Sequence, residues 1–205
     1  VVITILCSFL MLNACSENSD SDNGNNPVNP TPSNPQEQAE QNLTRSIEII
    51  DKAVDSYFTG AGMSMARYYN PYTETRSDEV GSVWMYTSSI EAVNTVLAGI
   101  KTLKENGKSD LYDKNYDRYV ELLAKLYENA DYYKGTFTLT SYTQTKEWTV
   151  YGVNRGSAKG TAEVEGVQNV YDDQQWLVRE LLESYKLTGN NTYLANAEYV
   201  LLPVS

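Results

Sequence analysis

The heptapeptide VYDDQQW, residues 170–176, is the most informative stretch of this 205-residue chain. It opens a segment whose apolar residues recur at helical spacing and predict a helix over residues 173–187, ended by Gly189. Two adjacent carboxylates, Asp172 and Asp173, thus lie where a loop becomes a helix, with aromatic residues on both sides. The pair marks both the start of a helix and a candidate site.

Two compatible interpretations of the pair follow from the residues. In the structural one, Asp172 is the helix N-cap, Gln175 completes a capping arrangement, and the helix dipole favours Asp173 in the first turn. In the functional one, the pair is catalytic. The chain contains no histidine, which excludes Ser-His-Asp hydrolysis and His-ligated zinc and leaves chemistry mainly to carboxylates, Tyr and Lys. Two carboxylates beside sugar-sized aromatic surfaces are typical of a glycosidase.

Charge and cysteine content restrict the partners. The formal net charge of -11 argues against nucleic acid as a partner, because phosphate binding needs a basic face. An acidic surface suits a protein that acts on a neutral polymer, although it also serves solubility. Both cysteines, Cys7 and Cys15, fall within the first fifteen residues, so the rest of the chain has no disulfide and no thiolate metal site. No metal or organic cofactor is expected.

The N-terminus resembles a bacterial lipoprotein leader. Residues 1–12 are almost wholly apolar but shorter than the roughly 20 residues that span a bilayer, which predicts a signal-peptide core. The motif LNAC, residues 12–15, resembles the lipobox and implies lipidation of Cys15. The alternative is an ordinary cleaved leader with a chance cysteine. The chain opens without Met or a basic segment, so we expect its true start to lie further upstream.

A tether separates this leader from the folded part. The acidic tract at residues 16–22 resembles the signal that places some Gram-negative lipoproteins on the outer face of the outer membrane, although it would serve equally as a solvated spacer. Residues 23–36 are rich in Asn, Pro, Ser, Thr and Gly and predict a disordered linker. We therefore expect a leader at 1–15, a tether at 16–37 and a folded part at 38–205, in a lipoprotein exposed on the cell surface.

The folded part is predicted to be all-α with one β-hairpin. Apolar residues at helical spacing predict helices over residues 38–58, 82–103, 111–133 and 173–187, and a fifth from about residue 192. Residues 137–140 and 148–151 alternate in the manner of strands and are followed by a long glycine-punctuated loop. Loops of that length are usually functional. The class is a set of helical hairpins joined in sequence, without a regular repeat.

Several of these segments together resemble glycoside hydrolase family 76, a family known for endo-α-1,6-mannanases. The resemblance spans residues 38–199 in family order. It is carried by VYDDQQWL at 170–177, YKLTGN at 185–190 and YLANA at 193–197, and by EVGSVWMY at 79–86 with EAVN at 91–94.

The resemblance implies a fold and a mechanism. The family forms an (α/α)6 toroid of six helical hairpins, with the substrate groove at one end of the ring. Its catalytic pair falls on Asp172 and Asp173, the first as nucleophile and the second as acid/base of a retaining reaction. The implied substrate is mannan or a manno-oligosaccharide.

The chain departs from the family in length. A ring of twelve helices needs on the order of 300 residues, whereas about five helices are predicted here, and Pro203 interrupts the last of them. We therefore expect the N-terminal part of an (α/α)6 domain, truncated at its C-terminus. Such a partial toroid is expected to be loosely packed and inactive alone.

The aromatic residues near the pair are candidate sugar platforms, because the apolar face of a pyranose packs on aromatic rings. Helix packing is the alternative for each of them. Asn94, one turn after Glu91, either hydrogen-bonds substrate or makes a buried polar contact between helices. The candidate binding residues are Trp84, Tyr86, Asn94, Trp148, Tyr171 and Trp176. The rival function is a non-catalytic glycan-binding or scaffold lipoprotein, in which the Asp pair only caps a helix.

Overall fold

The computed structural model describes residues 34–61, 63–140, 142–168 and 170–201. Within these ranges there are five α-helices: α1 Pro35–Tyr57, α2 Val83–Glu105, α3 Asp110–Ala130, α4 Tyr171–Thr188 and α5 Asn191–Leu201. The mostly helical class is confirmed, and each predicted helix is present. The predicted leader, the lipobox cysteine Cys15 and most of the tether lie outside the described residues, as does Pro203.

Three small antiparallel hairpins accompany the helices. They are β1 Phe58–Thr59 with β2 Ser64–Met65, β3 Tyr69–Asn70 with β4 Thr75–Arg76, and β5 Lys134–Thr140 with β6 Thr145–Tyr151. The last is the predicted hairpin, and it pairs Phe137 with Trp148. The first two were not predicted, because a strand of two residues is too short to show an alternating pattern.

Helix α1 begins three residues earlier than the sequence pattern indicated. Asn34 adopts extended backbone geometry, its side chain accepts a hydrogen bond from the Glu37 backbone N–H at 2.9 Å, and Pro35 occupies the first turn. An Asn N-cap followed by Pro is a strong start signal, because the cap satisfies an orphan N–H and Pro lacks one to satisfy. The composition of the tether concealed this signal.

Helix α4 begins at Tyr171 rather than at Asp173. Val170 occupies the N-cap position in extended geometry and makes no side-chain capping bond. The interpretation of Asp172 as N-cap is therefore wrong: both aspartates lie within the first helical turn, where the helix dipole still favours negative charge.

Helix α2 is the centre of the packing. It lies antiparallel to α3, since Tyr86 near its start contacts Leu126 and Lys104 near its end contacts Tyr112. It lies parallel to α4, because successive contacts along both helices join Trp84 to Trp176, Asn94 to Glu180 and Lys101 to Leu187. The common core is aliphatic and aromatic and includes Ile90, Leu97, Ile100, Leu123, Leu126, Leu177 and Leu181.

The parallel arrangement has one consequence for function. The N-termini of α2 and α4, and the segments that precede them, lie at the same end of the helical array. No helix in the described part of the chain is long and apolar enough to cross a membrane.

Candidate functional site

Aromatic and acidic side chains meet at the shared end of α2 and α4. Trp84, in the first turn of α2, packs edge to face on Trp176 of α4, with ring centroids 5.5 Å apart and planes 72° apart. Trp84 is 53% exposed and Tyr171, the first residue of α4, is 76% exposed. Such a pairing of indoles is a favoured aromatic geometry, and it leaves one face of the site open to solvent.

The two aspartates occupy different environments. Asp172 is exposed, whereas Asp173 is only 9% exposed. Burial raises the pKa of the Asp173 carboxyl above its ordinary value, and the negative charge of Asp172 raises it further. Adjacent carboxyls in unlike surroundings can divide the roles of acid and nucleophile between them.

Gln174 fixes the first turn of α4 to the hairpin. Its side-chain oxygen accepts from the Tyr151 N–H at 3.0 Å, and its side-chain nitrogen donates to the Tyr151 carbonyl. The amide thus satisfies both backbone groups of the last residue of β6, as a neighbouring strand would. Sequence analysis missed Gln174, although it shares a helix face with Leu177 and Leu181 and the exposed Gln175 does not. Its hydrogen bonds to Tyr151 needed the tertiary structure.

The start of α2 is hydrogen-bonded to the residues that flank the β5–β6 hairpin. The Val83 N–H donates to the Val153 carbonyl at 2.9 Å, and the Val153 N–H donates to the Gln168 carbonyl at 3.0 Å. The Tyr133 hydroxyl donates to the Gly81 carbonyl at 2.7 Å. The segment between β6 and α4 is therefore tied to the starts of both helices that carry the site.

Glycine is required where the segment between β6 and α4 packs on the β5–β6 hairpin. A Cβ on Gly135 would lie 2.0 Å from the Ala162 carbonyl oxygen, and one on Gly152 would lie 2.3 Å from the Glu163 carbonyl oxygen. The backbone at 162–164 thus lies directly on the base of the β5–β6 hairpin. Val150, Ala162 and Val164 form a small apolar cluster there, with Phe137 packed against it.

Trp148 lies on the β5–β6 hairpin. It is half-buried and stacks on Phe137 with ring centroids 6.4 Å apart. Among the described residues, its indole N–H and that of Trp176 are buried without a hydrogen-bond partner. A buried donor that stays unpaired costs about 1–3 kcal/mol.

Two predicted binding residues are core residues instead. Tyr86 is 1% exposed, packs against Phe58 and Tyr133, and donates its hydroxyl to the Leu126 carbonyl at 3.1 Å. It is thus enclosed between helices, and no face of its ring is available to a sugar in this structure. Asn94 is also buried and makes the interhelical polar contact, which was the alternative left open by the sequence.

Glu180 is the buried carboxylate that the sequence did not single out. It is 3% exposed, and one oxygen accepts from Asn94 Nδ2 at 3.0 Å while the other accepts from Arg179 Nη2 at 3.0 Å. Arg179 also reaches Glu91 at 2.9 Å. Burial raises the pKa of the Glu180 carboxyl, and hydrogen bonds from Asn94 and Arg179 oppose that shift without cancelling it.

The structure thus places Tyr171, Asp172 and Asp173 in the first turn of α4, and it packs Trp84 of α2 on Trp176, which follows them on the same helix. Two clefts of about 280 and 190 Å³ are lined by residues of α1–α3, β1, β2 and segment 76–80, and neither lining includes the aspartates. Within the described ranges, no group of three or more His, Cys, Asp or Glu side chains is placed to hold a metal ion.

Comparisons with protein-family models, curated proteins and solved structures gave no match to this chain. The resemblance to glycoside hydrolase family 76 therefore remains a proposal.

Proposed function

We propose that this chain is part of a glycoside hydrolase that cleaves α-1,6-linked mannan with retention, using Asp172 and Asp173. The observation that supports this most is the asymmetry of the pair. An exposed carboxylate adjoins a buried one whose pKa is raised, and the exposed rings of Tyr171 and Trp84 lie at the same end of α4 and α2.

The roles follow from the environments. The general acid of a retaining glycosidase must hold a proton near neutral pH, which a raised pKa favours, so Asp173 is the acid/base. Asp172 is accessible to an approaching sugar and is the nucleophile. A retaining mechanism needs the two carboxyls about 5–5.5 Å apart, a separation that neighbouring side chains in one helical turn can reach.

The aromatic rings are the proposed sugar platforms. Trp84 offers an exposed indole face, and Trp176 supports it from the side. Tyr171 adjoins Asp172 and is largely exposed, so it would contact the sugar bound at the pair. Trp148 would contribute from the β5–β6 hairpin. Tyr86 and Asn94 are not part of this proposal, because both are buried between helices.

The helix arrangement supports a partial (α/α)6 toroid. In such a ring the inner helices are parallel neighbours, and each is followed by an antiparallel outer helix. Helices α2 and α4 are parallel neighbours and begin at one end, as inner helices would. Helices α3 and α5 follow them in the chain and pack against them. Further hairpins of the ring would supply the remaining walls of a groove over the aspartates.

Hydrolysis by the full-length protein tests the proposal. The protein is incubated with linear α-1,6-mannan, and the released reducing ends are measured, with β-1,4-mannan and α-1,4-glucan as control polymers. NMR of the first product anomer reports retention. We expect turnover of the α-1,6 polymer alone, with the α-anomer formed first. No turnover, or an inverted first product, would contradict the assignment.

A second function is favoured by the exposed rings themselves. Trp84 and Tyr171 would equally serve a non-catalytic glycan-binding lipoprotein, in which the aspartates play no chemical part. Binding of mannan without turnover, unchanged in an Asp172→Asn variant, would support that alternative.

We further propose that Cys15 carries a lipid that attaches the protein to the outer membrane, exposed on the cell surface. One acyl chain binds a membrane only marginally, so stable attachment uses several. Metabolic labelling with a clickable fatty acid should mark the wild type and a Cys7→Ser variant, but not Cys15→Ser. Equal labelling of both cysteine variants would contradict attachment at Cys15.

A further inference from the structure

A chain of buried polar side chains crosses the otherwise apolar core and joins α2, α3 and α4. The Tyr127 hydroxyl lies 2.9 Å from the Ser184 hydroxyl, whose one hydrogen is shared between Asn94 Oδ1 at 2.9 Å and the Glu180 backbone carbonyl at 2.8 Å. Asn94 Nδ2 donates to the Glu180 carboxylate at 3.0 Å and to the Glu180 backbone carbonyl at 3.1 Å. Asn94, Glu180 and Ser184, named here the polar lock, are all buried.

Net stability is a poor explanation for the polar lock. Removing a carboxylate from water costs several kcal/mol even after relaxation, and replacing buried ionic groups by apolar ones of similar volume is often neutral or stabilising. Arg179 offsets part of this cost by donating to Glu180, but it is shared with Glu91.

The polar lock makes directional hydrogen bonds, which favour one position of α4 along α2 over others. Aliphatic packing is not directional, so it discriminates weakly between positions of α4 that differ by one turn, about 5.4 Å, along α2. The Asn94 amide uses both nitrogen hydrogens on Glu180 and its oxygen on Ser184. A shift of one turn in either direction would break all three bonds and leave buried polar groups unpaired, at about 1–3 kcal/mol each.

We propose that the polar lock fixes the register of α4 along α2 and thereby sets the position of Asp172 and Asp173 relative to Trp84. Asp173 and Glu180 lie on the same face of α4, two turns apart, so a shift at Glu180 moves the aspartates by the same distance. Asn94, Glu180 and Ser184 are positioning residues. The consequence for catalysis rests on the proposed function, whereas the consequence for register does not.

The test replaces the polar lock by apolar groups in the full-length protein: Asn94→Leu, Glu180→Met and Ser184→Ala, combined with Tyr127→Phe because the buried Tyr127 hydroxyl would otherwise lose its partner Ser184. The matched control is the exchange Asn94→Asp with Glu180→Gln, which keeps a hydrogen bond between the two side chains but reverses its donor. The readout is the exciton couplet that the packed rings of Trp84 and Trp176 give in far-ultraviolet circular dichroism. A Trp84→Phe variant assigns that couplet.

We expect the apolar variant to melt at or above the wild-type temperature and to lose at least half of the couplet, while the exchange variant keeps it. A folded apolar variant with an unchanged couplet would overturn the proposal. If the apolar variant does not fold, the exchange variant is compared with Asn94→Asp alone. Loss of the couplet in Asn94→Asp alone then supports the polar lock, and loss in both overturns it.

Hydrolysis separates this inference from the proposed function. If both hold, the apolar variant loses at least about 10²-fold in kcat, because a displacement of only about 1 Å can already cost that much, with a smaller change in KM. A lost couplet in a protein that never hydrolyses mannan leaves the register role standing and removes the proposed function. A lost couplet with wild-type kcat removes the positioning role.

Discussion

The backbone carbonyls at the C-terminal end of α4 accept hydrogen bonds from a glycine cap and from neighbouring helices, whereas the N-terminal end has no side-chain cap. Gly189 adopts the left-handed conformation, with φ of 71°, and its N–H donates to the Tyr185 carbonyl at 2.7 Å. The Leu187 carbonyl accepts from Lys101 Nζ at 2.8 Å and from the Tyr116 hydroxyl at 3.2 Å. Carbonyls that the helix leaves unpaired are thus bonded by a glycine cap and by two neighbouring side chains.

The N-terminal end of α4 lacks comparable capping and satisfaction of its polar groups. Val170 in the N-cap position makes no side-chain bond, Tyr171 is exposed, and Asp173 is buried beside another carboxylate. A stabilising choice would place Ser, Thr, Asp or Asn at the cap and keep the carboxylates solvated.

The contrast indicates that the N-terminal end of α4 contributes less to stability than its C-terminal end. Local preference, packing and polar satisfaction agree at one end of the helix and conflict at the other, and such conflict is expected at functional sites. Negative charge and exposed aromatic surface are concentrated at the N-terminal end of α4, where burial and exposure make them costly to the free energy of folding. The following tests compare the two ends, beginning with the largest expected effect.

Neutralising the aspartates should affect activity most. We expect Asp172→Asn and Asp173→Asn each to lower kcat of the full-length protein on α-1,6-mannan by about 10²–10⁴-fold, because nucleophile or proton transfer is lost. Glu183→Gln removes a carboxylate from the other end of the same helix and should leave kcat unchanged. Near-wild-type turnover in both aspartate variants would show that the N-terminal end is not catalytic.

Truncating an apolar residue at the C-terminal end should affect stability instead. Leu187 is buried, so Leu187→Ala should lower the free energy of unfolding by about 2–5 kcal/mol in urea titrations. Activity per folded molecule should not change. Loss of activity at full folding would show that the two ends are not functionally distinct.

The N-terminal counterpart of that truncation is Tyr171→Ala. Because Tyr171 is largely exposed, its removal should change stability by no more than about 0.5 kcal/mol. If it contacts the sugar, affinity for manno-oligosaccharides should fall at least about fivefold, as for an aromatic anchor, measured by tryptophan fluorescence titration. Unchanged affinity would remove Tyr171 from the site.

The same contrast shows what the sequence could reveal. The five helices and the β5–β6 hairpin were predicted because apolar periodicity survives wherever packing and local preference agree. The burial of Tyr86 was also available: it shares a face with Ile90, Val93 and Leu97 at helical spacing, whereas Trp84, two residues earlier, does not. The helical spacing was sufficient to predict that Tyr86 is buried, but Tyr86 was instead predicted to be a sugar platform because it is aromatic.

Other features could not be obtained from the sequence. The pairing of Asn94 with Glu180 joins residues 86 positions apart and depends on the parallel packing of α2 and α4. The bonds of Gln174 to Tyr151 likewise need the hairpin in place. The start of α4 at Tyr171 was missed because Asp172 carries a cap signal that the helix does not use.

Substituting the capping glycine Gly189 tests the C-terminal end of α4 again, at about the same size of effect. Gly189→Ala places a Cβ in the left-handed conformation and should cost about 1–2 kcal/mol of stability without altering turnover. Gly189→Asn is the matched variant, since Asn tolerates that conformation and should cost less. Equal losses for Ala and Asn in urea titrations would show that backbone conformation is not what the glycine supplies.

The smallest expected effect is a gain in stability at the N-terminal end, from Asp173→Asn. The folded state raises the pKa of Asp173, so it binds more protons than the unfolded state between the ordinary and the raised pKa. Stability of the wild type therefore falls as pH rises through that window, and the cost persists at neutral pH.

The Asn variant lacks this titration and should melt slightly higher than the wild type at pH 7, with the difference vanishing below the ordinary pKa of Asp, about 3.9. An Asp173→Asn variant that is less stable at pH 7 than at acid pH, relative to the wild type, would mean that the folded state favours the charged form. Asp173 would then be an ordinary first-turn aspartate, and the two ends of α4 would differ less than their geometry implies.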